Sequence, residues 1–419
     1  MTRLSSKLHY AWVLLAGTWL AFMGVGLIRF VYPYVLPTME NTLGISHAMM
    51  GTIVSGFFWA DTFMRIVWGT LSDRYGTRFS TLSGLALLAL GFFIMSLVSS
   101  AGGLAFGFTI CGLGAAALFI MPSPLLSRWF GQRKRATAIG IATTAATLVT
   151  VIAGFVVPPI LVNNPYTVIW RAEAVFVIVI LIVNFFILAN SPADKGLTPY
   201  GATEEELAAA KAGPKSSAWG RRGISQVLKE KAFYQIAGSY FLYGVAYTGV
   251  LTFMVGYFLE LGWIASSAGK VMALVGVSGL IGALLWGAVG DRMAKNHVFG
   301  VTMVMMALGI VILTLRGQTP MMAYIGAFLF GLGGSGPVVM ISAIQADYFD
   351  KSTIGTSFGL CAACFSLASA ISPIIGGAVS DSTGTLRSAL FFGLAASLIG
   401  GVIIYLLRRP YTAVNVTVK

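Results

Sequence analysis

The chain has 419 residues, of which 57% are hydrophobic and only 10% are charged. Soluble domains carry about 25% charged residues, so this composition excludes an ordinary water-soluble fold. The net charge of +13 at pH 7 does not indicate a nucleic-acid partner, because the basic residues lie between apolar runs in a pattern typical of membrane topology. We therefore expect the lipid bilayer to be the solvent of this protein.

Apolar runs of about 20 residues predict twelve transmembrane helices, because lipid cannot satisfy free backbone groups. Six runs fall in each half of the chain, and the sequence thus predicts an all-α integral membrane protein without a strand-rich domain. The runs are 10–35, 48–71, 80–99, 102–127, 137–162, 169–190, 233–258, 266–290, 298–316, 321–346, 354–379 and 387–408.

The distribution of basic residues predicts the orientation. Of the 27 Lys and Arg residues, 21 fall in segments that are cytoplasmic if both termini are inside, which predicts an N-in, C-in protein of the cytoplasmic (inner) membrane. The polar segment 191–232 is then a cytoplasmic linker between two six-helix bundles, 1–190 and 233–419. The end of this linker, 221–231, is either a short surface helix or a solvated basic loop. The first apolar run is too long for a cleaved signal and is expected to be retained.

Spans 1 and 2 carry charged residues inside the membrane. Inserting a cation at the bilayer centre costs about 2.5–3.5 kcal/mol of free energy. We therefore expect Arg29 in span 1 to have a functional role, and the alternative is a structural pair inside the protein. In span 2, Asp61 and Arg65 are four residues apart and share a helix face, where they form either a structural pair or part of a site. The cluster would have a net charge of +1, which a small anion would neutralise. If transport is coupled to protons, Asp61 is the leading carrier, and Glu173 in span 6 is a weaker candidate.

Two motifs occur once in each half of the chain. Trp68-Gly-x-x-x-Asp73-Arg returns as Trp286-Gly-x-x-x-Asp291-Arg, 218 residues later, and Gly112-Leu-Gly returns 219 residues later as Gly331-Leu-Gly. This duplication predicts two pseudo-symmetric halves. Secondary transporters are built on this plan, with the substrate site between the halves near the bilayer midplane.

These motifs resemble the major facilitator superfamily. The segment from Gly69 to Arg78, between spans 2 and 3, resembles the signature loop of that superfamily, and the segment from Arg128 to Gly140 looks like its second cytoplasmic loop. The resemblance implies its twelve-helix fold and transport by alternating access. The charged loop residues are expected to latch the cytoplasmic side, although ordinary loop turns with topological charge are the alternative. The gating candidates are Gly69, Asp73, Arg74, Arg78, Arg128, Asp291 and Arg292.

Within that superfamily, the chain resembles the organic-anion branches. An arginine eight residues before a proline in span 1, here Arg29 and Pro37, is similar to the pattern of organophosphate/phosphate antiporters and anion/cation symporters, and implies that Arg29 binds the substrate's anionic group. Arg65 stands where the organophosphate antiporters have a lysine. Span 7 lacks their second arginine, which favours a carboxylate or sulfonate over a phosphate. The linker segment 191–201 also looks like that of monocarboxylate, oxalate/formate and sugar-phosphate carriers, and it does not distinguish between their substrates.

Hydroxyl groups complete the predicted substrate site. Tyr243 and Tyr247 lie four residues apart on one face of span 7, and Tyr32, Thr143 and Ser335 come from spans 1, 5 and 10. A phenol can donate a hydrogen bond to a carboxylate. The alternatives are a packed aromatic stripe and hydroxyls that bond to their own helix backbone.

Neither a cofactor, a metal nor enzyme activity is expected. Cys361-x-x-Cys364 lies within a predicted helix and indicates packing, and the three histidines are scattered among helix ends and loops. The chain shows no nucleophile with a base and no phosphate-binding loop. The expected partners are a small anionic substrate, protons if transport is coupled to them, and lipid. The protein is expected to be a monomer.

The leading hypothesis is a secondary transporter of a small organic anion, driven by protons or by anion exchange. One alternative is a transporter-like sensor that binds its ligand without flux. Another is an exporter of amphipathic compounds, which would tolerate the loss of Arg29. A drug/proton antiporter is disfavoured, because span 4 carries no arginine and span 5 lacks the Gly-x-x-x-Gly-Pro motif.

Overall fold

A computed structural model describes residues 9–203, 206, 221–349 and 353–407. Within these residues the protein is helical, apart from turns and an isolated β-bridge between Phe130 and Tyr200. The helices are α1 (Tyr10–Leu43), α2 (His47–Tyr75), α3 (Thr77–Leu97), α4 (Ala101–Ile120), α5 (Pro122–Trp129), α6 (Gln132–Asn163), α7 (Thr167–Ile187), α8 (Arg221–Lys229), α9 (Lys231–Glu260), α10 (Ala265–Gly290), α11 (Lys295–Arg316), α12 (Pro320–Tyr348), α13 (Ile354–Thr383) and α14 (Arg387–Tyr405).

Eleven helices of the described chain, counting α4 with α5 as one, are long and apolar enough to cross a membrane. The twelfth long helix, α2, is less apolar because it carries Asp61 and Arg65 at its centre. Large apolar side chains are exposed on several helices, and Phe186 and Leu284 are 73% and 81% exposed. Lipid accommodates such side chains as water would not. The prediction of an all-α membrane fold is therefore confirmed.

Several helices are longer than the apolar runs predict. Helix α1 continues to Leu43, well past the predicted end at residue 35, and includes Pro33 and Pro37. Helix α6 begins at Gln132, five residues before the predicted start at 137, and contains Pro158 and Pro159. Prolines are tolerated in membrane helices because neighbouring groups satisfy the freed carbonyls. The extra turns of α1 carry polar residues, which a hydropathy criterion excludes.

The two repeated motifs meet in each half of the chain. The indole nitrogen of Trp68 on α2 donates to the carbonyl oxygen of Leu113 on α4 at 2.8 Å. The indole nitrogen of Trp286 on α10 donates to the carbonyl oxygen of Leu332 on α12 at 2.7 Å. The repeat in the sequence is therefore a repeat of a specific helix-to-helix hydrogen bond.

A glycine beside each of these carbonyls allows close helix contact. A Cβ atom on Gly114 would lie 2.5 Å from the carbonyl oxygen of Gly84 on α3, and one on Gly333 would lie 2.6 Å from the backbone of α11. Real Cβ atoms do not approach backbone this closely, so larger residues would separate the helices.

The described chain divides into two compact units. The first contains the described residues within 1–32, 59–150 and 164–216, and the second contains those within 33–58, 151–163 and 217–419. The second unit thus includes the end of α1, the start of α2 and the end of α6. These units are not the two halves of the sequence, and the division predicted at 191–232 stays a prediction.

Backbone hydrogen bonds connect the described start of the linker to the end of α5. Tyr200 exchanges backbone hydrogen bonds with Trp129 and Gly131 after α5. Residues 204–205 and 207–220 of the linker lie outside the described residues. The end of the linker forms α8, so of the two alternatives for 221–231 the structure has the helix.

Candidate functional site

Three charged side chains meet in the first unit. Asp61 on α2 accepts hydrogen bonds from Arg29 on α1 and from Arg65 one turn further along α2. Arg65 contacts both carboxylate oxygens, at 2.6 Å through Nη2 and at 3.3 Å through Nε. The four-residue spacing in α2 places the two groups on one face. Arg29, Asp61 and Arg65 therefore form one cluster, which we call the arginine cluster.

The arginine cluster is buried unevenly. The side chain of Asp61 is 1% exposed, whereas those of Arg29 and Arg65 are 13% and 14% exposed. The ring of Phe119 on α4 lies 4.0 Å from the Arg65 guanidinium carbon and 5.4 Å from that of Arg29. An aromatic face stabilises a partly desolvated cation. The carboxylate is thus enclosed, while the two guanidinium groups remain partly accessible.

The charges of this cluster do not balance. Two guanidinium groups and one carboxylate leave a net charge of +1 inside a membrane helix bundle, where unbalanced charge is costly. An anion that reached the accessible side of the cluster would balance the charge and accept bidentate hydrogen bonds.

Two of the predicted hydroxyl groups, those of Tyr32 and Thr143, also lie in the first unit. Tyr32 is 2% exposed and packs edge-on against Phe108 at 6.3 Å between ring centroids. Thr143 donates to the carbonyl oxygen of Gly140 on its own helix at 2.9 Å. Its neighbour Thr144 also bonds to its own helix, and accepts from the indole of Trp19 at 3.2 Å.

The span-7 tyrosines lie in the second unit. Tyr243 donates to the carbonyl oxygen of Gly334 on α12 at 2.7 Å, so its hydroxyl proton already has an acceptor. Tyr247 stacks between Tyr243 and Phe330, at 5.5 and 5.7 Å, and its hydroxyl has no hydrogen-bond partner among the described residues. Ser335 donates to Leu332 of its own helix at 2.9 Å. Of these three, Tyr247 retains a donor for a substrate, and all three assignments remain predictions.

The predicted cytoplasmic latch is not formed within the part of the chain described here. Asp73, Arg74 and Arg128 are exposed, and so are Asp291 and Arg292. Neither Asp73 nor Asp291 has an ion pair or side-chain hydrogen bond among the described residues.

Arg78 has a structural role within the first unit. Its Nη2 donates to the carbonyl oxygen of Phe185 at 2.7 Å, and its backbone nitrogen donates to Asn190 at 2.8 Å. Gly69 faces open space. The latch stays a prediction.

The structure also contains a polar cluster that the sequence did not predict. We call it the outer cluster; it consists of Glu40, His47, Glu260 and Asp381, at helix ends predicted to lie outside. Asp381 on α13 accepts from the backbone nitrogens of His47 and Ala48 at 3.0 and 2.8 Å, and so caps α2. Glu40 contacts His47 Nδ1 at 2.9 Å. His47 and Asp381 are 334 positions apart in the sequence, and no local motif indicates that these residues meet.

The second unit places these helices in close contact beside the outer cluster. A Cβ atom on Gly51 would lie 2.1 Å from the carbonyl oxygen of Pro373, and one on Gly377 would lie 2.4 Å from that of His47. Helices α2 and α13 therefore touch backbone to backbone at this end. No three or more of the described His, Cys, Asp and Glu side chains are grouped so that they could hold a metal ion.

Comparison with known proteins supports the same family as the motifs. The sequence profile of the family described as Major Facilitator Superfamily matches residues 17–282 and 236–418. The hexuronate transporter of Bacillus subtilis (strain 168) is 24% identical, with 89% of each chain covered. The probable galactarate/D-glucarate transporter of Escherichia coli (strain K12) is 26% identical over 84% of this chain and 83% of its own.

A solved structure supports the fold. The crystal structure of a mutant of the nucleoside transporter NupG superposes with a TM-score of 0.75 at 12% sequence identity, over 96% of this chain and 100% of the other.

Proposed function

Because the chain belongs to the Major Facilitator Superfamily, we propose that it is a secondary transporter of a small organic anion, with a carboxylate as the group bound by Arg29 and Arg65. It is a multi-pass protein of the cytoplasmic membrane, and transport would proceed by alternating access. Proton symport or anion exchange would drive it.

The observation that carries this proposal is the shared carboxylate of the arginine cluster. Each arginine alone would be explained by a structural ion pair, but Asp61 is a single counter-charge for two guanidinium groups. A substrate carboxylate is planar and matches the fork of a guanidinium, which lysine could not offer. It would bind where the guanidinium groups are accessible and would restore neutrality.

The named relatives narrow the class of anion. Hexuronates, galactarate and D-glucarate, which the relatives are named for, are sugar acids with one or two carboxylates and several hydroxyls. We therefore propose a polyhydroxylated carboxylate as the substrate. Among the predicted donors of the second unit, Tyr247 is the one whose hydroxyl has no hydrogen-bond partner among the described residues.

Uptake by proteoliposomes tests this proposal. The panel contains labelled sugar acids, simple mono- and dicarboxylates, sulfonates and organophosphates, each with and without an inward proton gradient. We expect saturable uptake of one carboxylate class by the wild type, and a loss of about tenfold or more in Arg29→Ala, because hydrogen bonds to charged groups contribute about 1.5–3 kcal/mol each.

Arg316→Ala is the matched control, because this exposed arginine at the end of α11 has no ion pair among the described residues, and uptake is expected to persist there. Uptake that is indifferent to Arg29→Ala would contradict the proposal and favour an exporter of amphipathic compounds. Binding of an anion without any flux would favour a sensor.

A further inference from the structure

A buried carboxyl group in the first unit has no role in the arginine cluster. Glu173 on α7 is 6% exposed, and its Oε2 atom has no hydrogen-bond partner among the described residues. The indole nitrogen of Trp170, one turn earlier on the same face, is also buried without a partner there. Buried polar atoms are nearly always hydrogen-bonded, so two such atoms on one face need an explanation.

The surroundings of Glu173 favour its neutral form. Trp170 stacks on Phe92 at 6.0 Å and meets Phe108 edge-on at 5.8 Å, so this face of α7 is packed with aromatic rings. The titratable group that interacts with Glu173 from a neighbouring helix is the Cys111 thiol on α4, which is not a cation. Arg171 is exposed on another face of α7. A carboxylate here would be an uncompensated charge in an apolar site, whereas the acid is tolerated.

The surroundings of Asp61 are the opposite of those of Glu173. It is held by two guanidinium groups, and adding a proton would remove the negative charge that keeps these two cations together. A proton carrier must gain and lose its proton during each cycle. Asp61 already serves as the counter-charge of two guanidinium groups, whereas Glu173 contacts no cation among the described residues, and Glu173 is therefore the better candidate for the carrier.

Ring contacts connect Glu173 to the arginine cluster. Trp170 contacts Phe108, and Phe108 contacts Tyr32 at 6.3 Å. Tyr32 lies one turn beyond Arg29 on α1. A shift of α1 when an anion binds Arg29 would thus reach Trp170 through two edge-on contacts. Glu173 is also only about 9 Å from the start of α7, given a rise of 1.5 Å per residue, which is the end predicted to face outside.

We propose that Glu173 is the site that binds and releases the transported proton, with Trp170 as the donor that stabilises the carboxylate after the proton has left. This inference rests on the proposed anion transport. The carboxylate takes a proton from water on the outer side and returns it to water on the cytoplasmic side, so each proton crosses together with a substrate anion. Trp170 is a positioning residue, because it acts on Glu173 and not on the substrate.

Infrared spectroscopy of the purified protein tests the proton site without any substrate. At neutral pH we expect the C=O stretch of a protonated carboxylic acid in the wild type and its loss in Glu173→Gln. Glu230→Gln is the matched control, since it makes the same chemical change at an exposed residue before α9, and it should keep the band. A band that persists unchanged in Glu173→Gln would overturn the proposal.

Transport assays then test coupling. Glu173→Gln, which mimics the protonated acid, should lose accumulation driven by a proton gradient but keep counterflow at equal pH. This counterflow also shows that the variant is folded.

Trp170→Phe keeps the ring contacts but removes the N–H donor, so the pH at half-maximal accumulation should move upward.

Gradient-driven accumulation that survives in Glu173→Gln would overturn the proposal. If the wild type moves no anion, the proposed function fails, and the infrared result alone then decides whether Glu173 is a proton site.

Discussion

At the scale of single residues, a charged side chain inside the membrane indicates a functional or structural role, because burying it in lipid costs free energy. We singled out Arg29, Asp61 and Arg65 in the sequence because placing a charged side chain in lipid costs free energy. The structure brings all three together. The local pair of Asp61 and Arg65 could be predicted from helix periodicity. The shared use of Asp61 by Arg29 could not, because it depends on how α1 and α2 pack.

Asp61→Asn tests how strongly this carboxylate holds the cluster. Removing one partner from a buried ion pair typically costs about 3–5 kcal/mol, because the remaining charges are left uncompensated. We expect a clearly lower unfolding temperature in detergent, measured by thermal unfolding. Asp73→Asn is the control, since Asp73 is exposed and should leave the unfolding temperature unchanged. Equal unfolding temperatures for both variants would show that the cluster is not held by Asp61.

At the scale of helices, close contacts explain the repeated Gly-Leu-Gly motif. The sequence showed that the motif recurs, but its purpose became visible only when the leucine carbonyls were found to accept from Trp68 and Trp286. The hydroxyl candidates show the limit of such patterns: Tyr243 has the predicted spacing from Tyr247, yet its hydroxyl donates to a backbone carbonyl of another helix. The hydroxyl of Thr143 donates to its own helix. Spacing gives the helix face, and packing decides what that face contacts.

Gly114→Ala is expected to destabilise the protein by about 1–3 kcal/mol, the usual cost of overpacking, because the new methyl group would meet the backbone of α3. Thermal unfolding measures this. Gly140→Ala is the control, because nothing lies within 4 Å of its added Cβ, and higher helix propensity should stabilise it by about 1 kcal/mol. Stabilisation of both variants would contradict the close approach of α3 and α4.

The outer cluster gives a second prediction at this scale. Asp381→Asn replaces a charged acceptor at the start of α2 with a neutral one, and charge-assisted bonds are about twice as strong. The backbone amides of His47 and Ala48 should then exchange hydrogen faster, as measured by mass spectrometry of peptides covering this helix start. Ser382→Ala, next in the chain, should leave that exchange unchanged. Faster exchange in both variants would indicate general loosening of α13.

At the scale of the whole molecule, hydropathy and the distribution of basic residues were sufficient to predict the fold class, because lipid imposes helices and basic residues remain inside. The prediction that follows is topological: tags at both termini should be protected from protease in intact cells and digested after the membrane is opened. A tag on either terminus that is cleaved in intact cells would contradict the N-in, C-in arrangement.

The central claim is that the arginine cluster recognises a carboxylate. The most direct measurement is calorimetric binding of D-glucuronate and D-glucose, which differ in a carboxylate, to the purified wild type and to Arg29→Ala. We predict that the wild type binds the acid and not the neutral sugar, and that the substitution weakens binding of the acid by about tenfold or more. Equal binding of both sugars, or binding of the acid that Arg29→Ala leaves unchanged, would contradict the claim.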